Sequence, residues 1–154
     1  MRSFWLFCHL LGAMMWVGGG LAAMHASIAG NRFDRSQQGL VAQLIAAVYA
    51  RAIAPGAALS VLSGVFLSLT YMSAMNRGEM QMTMSPWLMA MQGAGILGAG
   101  IVLTVTLPAV NRLVRIDPAT QWDQFCALRT RQRISGMIAT SLAMLGLLSA
   151  ALYR

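Results

Sequence analysis

Acidic residues are nearly missing from this 154-residue chain: Asp34, Glu79, Asp117 and Asp123 are all there are, and none lies inside a long apolar run. Hydrolytic chemistry by paired carboxylates has no material to work with, and a proton-coupled carrier would want a carboxylate within the membrane. Lysine is absent altogether. No phosphate-cradling glycine loop and no nucleophile elbow occurs, which excludes phosphoryl transfer and serine-type acyl transfer. The two cysteines, Cys8 and Cys126, are expected on opposite sides of a membrane and cannot pair within one chain, so there is no disulfide framework.

What the chain has in abundance is apolar surface. Hydrophobic residues make up 58% and charged residues 10%, with a mean hydropathy of +0.64, beyond the roughly 45–50% apolar content of soluble domains. Four apolar runs, Phe4–Ile28, Ala52–Met72, Pro86–Val110 and Ile134–Tyr153, are long enough to cross a hydrocarbon core that takes about 20 helical residues. They lack the period-2 alternation of a membrane barrel strand, and backbone polar groups must be paired in lipid. The expected fold is all-α: an integral membrane four-helix bundle in a single transmembrane domain, 1–154. Arg2 followed by an apolar run also fits the start of a secretory signal, but the run is too long and no small-x-small cleavage site follows it, so it is read as the first span.

Every basic residue is arginine. Arg32, Arg35, Arg51, Arg112, Arg115, Arg129, Arg131 and Arg133 lie in or beside the first and third loops, against Arg2, Arg77 and Arg154 on the other side. The net charge of +7 therefore reads as membrane topology rather than nucleic-acid binding. The positive-inside rule puts both termini and the second loop in the periplasm of a bacterial inner membrane. Trp5, Tyr71, Trp87 and Tyr153 fall at the same outer ends, as an interfacial aromatic belt requires.

The arginine-rich connections carry structure of their own. Asp117-Pro118 forms a helix start, after which Trp122, Phe125 and Leu128 share one face into the fourth span. A second amphipathic stretch, 38–50, leads into the second span, with Pro55 as its expected kink. The halves also resemble each other. A shift of 80 residues pairs Gly18 with Gly98, Gly20 with Gly100, Asn31-Arg32 with Asn111-Arg112, Arg35 with Arg115, Arg51 with Arg131 and Gly56 with Gly136. Two tandem two-helix repeats would produce this pattern, and so would convergent use of glycine for close helix approach and arginine for the inner interface.

A few residues could carry chemistry. His9 is expected about 10 Å from the bilayer midplane. An ionisable group there is costly unless it faces the bundle or holds a ligand, and neutral imidazole suits haem iron or copper. A hydrogen bond to a neighbouring helix would satisfy it equally. Cys8 adjoins it, and His25 lies near the inner end of the same helix. Met80, Met82 and Met84 alternate through the second loop; thioether sulfur selects Cu(I), although methionine also serves as an adaptable apolar filler. Trp16, near mid-membrane, either lies against a porphyrin or fills the core.

The run His9-Leu10-Leu11-Gly12-Ala13-Met14-Met15-Trp16-Val17-Gly18-Gly19 resembles the opening helix of the copper-resistance D (CopD)-like membrane proteins and their small four-helix relatives. Ser63-Gly64 and the closing Ala150-Ala151-Leu152-Tyr153-Arg154 extend the likeness. It implies a copper-handling function, with Met80, Met82 and Met84 collecting Cu(I) outside and His9 with Cys8 forming an inner station. The His-x6-Trp spacing is also similar to that of the HemJ protoporphyrinogen oxidase family, which implies haem b on His9 and electron transfer or porphyrin oxidation. A third expectation is a non-catalytic subunit. Lipid is the expected surrounding, and a homo-oligomer or a larger membrane complex the expected partnership.

Overall fold

In the computed structural model, which describes residues 2–77 and 86–152, helix α1 covers Arg2–Ala29 and ends in a 3-10 turn, Gly30–Arg32. Helix α2 (Arg35–Val48) starts after Asp34, whose extended backbone turns the chain back on itself and whose carbonyl accepts the N–H groups of Gln37 and Gln38. It continues through a π turn, Tyr49–Ile53, into α3 (Ala54–Asn76). Helix α4 (Pro86–Ile101) likewise passes through a π turn, Val102–Thr106, into α5 (Leu107–Leu113), and α6 (Trp122–Leu152) closes the chain. The rods Arg2–Arg32, Arg35–Ala74, Pro86–Leu113 and Trp122–Leu152 are each long and apolar enough to cross a membrane.

Each π turn immediately precedes a proline, Pro55 or Pro108. A proline ring presses on the carbonyl four residues earlier, here Arg51 or Thr104, and supplies no N–H in return. Both carbonyls lie within the widened turn, which absorbs the clash without breaking the rod. The kink expected at Pro55 is thus a π turn just before it. The helix start expected at Asp117-Pro118 moves four residues on: Asp117 Oδ1 accepts the Ala119 N–H at 2.9 Å, its carbonyl accepts the N–H groups of Thr120 and Gln121, and α6 begins only at Trp122. The apolar face expected there does form. Phe125 is buried with Ala42 and Leu113, and Trp122 and Leu128 pack against them.

The four rods form a ring in the order α1, α3, α4, α6, with α1 closest to α3 and α4 closest to α6. Composition is turned outward in the manner of a membrane protein. Met14 is 73% exposed and Leu97 64%, whereas Ser63 and Thr106 are fully buried. In a membrane, lipid solvates large apolar side chains, and an interior is then free to use small and hydroxylated ones that let backbones approach. At the closest approach to a neighbouring backbone, a Cβ on Gly12 would stand 2.6 Å from the Ser60 backbone N and 2.8 Å from the Gly56 carbonyl oxygen. Any side chain there would drive α1 away from α3.

Burial reveals the repeat more clearly than residue identity does, and at a different register. The buried positions Gly12, Ala13, Trp16, Gly20, Ala23 and Ser27 of the first rod fall on the buried Gly98, Ala99, Val102, Thr106, Ala109 and Leu113, a shift of 86. Ala42, Tyr49, Ile53, Gly56, Ser60 and Ser63 fall on the buried Phe125, Gln132, Gly136, Ala139, Ala143 and Gly146, a shift of 83. Contacts repeat as well. Gly12 faces the Gly56 carbonyl, and its counterpart Gly98 faces that of Ala139, the counterpart of Gly56. At the 80-residue shift the environments differ: Gly18 meets open space where Gly98 meets the Trp16 ring. The two hairpins, α1 with α3 and α4 with α6, thus share a burial pattern and a close glycine contact.

Candidate functional site

His9 lies half-buried at the seam of α1 and α3, near the end of the bundle that carries the N-terminus. Its Nδ1 is 2.7 Å from the carbonyl oxygen of Ser60. A carbonyl only accepts, so Nδ1 carries the proton and the neutral ring is left with a lone pair on Nε2. Ser63 stands 3.4 Å from the same nitrogen, but its single hydroxyl proton goes to the Leu59 carbonyl at 2.5 Å, the nearer of two carbonyls in reach. Beneath the ring is Gly64, where a Cβ would come within 3.3 Å of Cε1 and 3.4 Å of Nδ1. The hydrogen bond asks for the proton on Nδ1, and the missing side chain leaves the space that the imidazole occupies. This is the outer-shell arrangement that orients metal-bound histidines.

The other sequence candidates are not gathered around it. Cys8 is a half-buried free thiol, and as the preceding residue it projects about 100° round the helix from His9. Trp16 is 2% exposed and fills the core, its six-membered ring 2.9 Å from where a Cβ of Gly98 would be; its Nε1 has no hydrogen-bond partner. His25, four residues before the end of α1, hydrogen-bonds through Nδ1 to its own helix at the Leu21 carbonyl, 2.9 Å away. Met80, Met82 and Met84 lie outside the described residues. Met72 and Met89, on the ends of α3 and α4 that flank them, are both exposed. Among the described residues no three His, Cys, Asp or Glu side chains converge on one point. At the position equivalent to His9 in the second hairpin stands Gly95, so the chain offers one such imidazole.

Two polar features escaped the sequence reading. Gln132 Nε2 donates to the Tyr49 hydroxyl at 3.4 Å, and these two residues are counterparts under the 83-residue shift, so the bond joins the two hairpins. Beside it Thr106 donates to Ser135 Oγ at 2.9 Å. Nearer the arginine-rich end, Arg129 is tied to Gln38 Oε1, to the Ser27 carbonyl at 3.1 Å and to Asn31 Oδ1 at 2.9 Å. All three acceptors are neutral and belong to the first hairpin, and Ser27 lies in the last turn of α1, where free carbonyls favour a cation. The only sequence signal was the charge of Arg129, which topology alone explained.

No family model, curated protein or solved structure significantly matches the chain.

Proposed function

We propose that the chain is an inner-membrane protein holding a soft metal centre through Nε2 of His9, and that the centre is haem b. The Nδ1–H···O bond to Ser60 carries this reading, because it leaves Nε2 unprotonated and aimed by a fixed ring. A haem iron is satisfied by one or two protein ligands, which suits a lone oriented imidazole, whereas Cu(I) needs several soft donors converging. Bound there, haem would supply one-electron chemistry in the half of the bundle near the termini. Ser60 would hold the ligand tautomer, Gly64 would leave room for the ring, and the exposed Phe4, Phe7 and Phe66 would keep water away. Electron transfer or porphyrin oxidation follows from that placement.

Copper handling is the second reading. It is favoured by Met72 and Met89, exposed on either side of the Met80, Met82 and Met84 segment. The eight arginines at one end set the orientation proposed for either reading, with both termini periplasmic.

The visible spectrum of the protein purified from membranes separates the two. The haem reading expects a Soret band that is lost in His9→Ala and unaffected in a Met80→Leu/Met82→Leu/Met84→Leu triple variant. A colourless protein that binds Cu(I), and loses it in the triple variant, would overturn haem and establish copper.

A further inference from the structure

We propose that a groove at the arginine-rich end binds the headgroup of one anionic phospholipid, with Arg112 and Arg115 on its phosphodiester and an acyl chain over the floor between them and α6. The inference rests on the membrane reading of the four rods and is independent of His9. The groove, of about 490 Å³, is lined by Arg112, Arg115, Ile116, Gln124, Ala127 and Leu128. Its floor is apolar and rigid, because Ile116 and Leu128 pack directly on the buried Leu113 and Phe125. Gln124, Ala127 and Leu128 are spaced three and four apart, so they line one face of α6.

The walls are cationic and unneutralised. Among the described residues neither the Arg112 nor the Arg115 guanidinium makes a hydrogen bond or an ion pair, although both are exposed. The nearest acid in sequence is occupied with its own turn: Asp117 accepts from the Ala119 N–H and stands 3.5 Å from the Thr120 hydroxyl. A planar fork of N–H donors matches phosphate oxygens in pairs, and two such forks above an apolar floor complement a molecule that is anionic at one end and hydrocarbon at the other. A soluble anion would leave the floor wet, and a zwitterionic lipid would set its own cation against the arginines. Basic pockets between helices on the cytoplasmic side are where phospholipid headgroups are held.

The test is native mass spectrometry of the full chain in detergent, titrated with dioleoyl phosphatidylglycerol, dioleoyl phosphatidylcholine or inorganic phosphate. The wild type is expected to bind one phosphatidylglycerol in preference to phosphatidylcholine, with no competition from phosphate. Arg112→Gln/Arg115→Gln is expected to weaken that binding about 30-fold, from the roughly fivefold that each basic side chain contributes near an anionic headgroup, with the circular dichroism unchanged. Ala127→Trp, which fills the floor and keeps both charges, is expected to weaken it as well, whereas Arg131→Gln, outside the groove, changes it by no more than fivefold. Equal binding of the two lipids, competition by phosphate, or a loss in Arg131→Gln as large as in the double variant would overturn the proposal.

Discussion

At the scale of single residues, the proposed function rests on an imidazole and a glycine. Gly64 is open enough for the His9 ring and for nothing more, since a Cβ would sit 3.3 Å from Cε1. Gly64→Ala is therefore expected to displace the ring by a few tenths of an ångström, weakening haem retention while leaving helicity and thermal stability close to the wild type; a spectrophotometric titration with haemin reads the first and a detergent melt the second. Gly12 plays a purely packing role. Its missing Cβ faces backbone atoms that cannot rotate away, so Gly12→Ala should destabilise the bundle by about 1–3 kcal/mol. Gly18→Ala is the control, with nothing within 4 Å of its added carbon and an expected change within about 0.5 kcal/mol in the same detergent unfolding assay. The sequence singled out His9 by its depth in an apolar run. It could not identify Ser60 as the partner, because the two are 51 residues apart and only the docking of α1 on α3 brings a helix carbonyl to the ring. That carbonyl is available because Ser60 precedes Gly64 by one turn and a side chain at 64 does not cover it.

At the scale of elements, hydropathy alone delimited four rods, because lipid imposes a length and an apolar content that no soluble helix needs. What it missed follows from local backbone chemistry. A proline in an apolar run signals a disturbance, but whether it becomes a kink or a π turn depends on where the displaced carbonyl can go, and both Pro55 and Pro108 lie just after a widened turn. The repeat was visible as matched glycines and arginines, yet its register was set by burial, which residue identity tracks poorly when so many positions are Ala, Gly or Leu. Arg129 is the joint between hairpins at this scale. It belongs to α6 and holds the end of α1 and the start of α2 through Ser27, Asn31 and Gln38. Arg129→Ala removes charge-assisted bonds and leaves Gln38, which is 7% exposed, with an unpaired acceptor, so a loss of about 2 kcal/mol is expected. Arg131→Gln on the same helix is exposed and should cost within about 0.5 kcal/mol; chemical denaturation of both variants in one detergent checks the difference.

At the scale of the whole molecule, the two hairpins share a packing plan but not a ligand set. His9 stands in one and Gly95 at the equivalent place in the other, so a centre held inside the ring would have its protein ligand from one side. The ends differ in chemistry too: an imidazole and flanking methionines at the end bearing the N-terminus, arginines and their neutral acceptors at the opposite end. A membrane would supply the axis that gives such an asymmetry meaning, and the proposed lipid groove lies at the arginine-rich end. In the proposed function, His9 is held as the Nδ1–H tautomer so that Nε2 can bind a metal. A two-bond ¹H–¹⁵N spectrum of histidine-labelled, metal-free protein in a His25→Asn background measures this directly. A protonated Nδ1, an unprotonated Nε2, and movement of the Nε2 resonance on adding haemin are expected. A proton on Nε2, or an Nε2 resonance indifferent to both haemin and Cu(I), would contradict it.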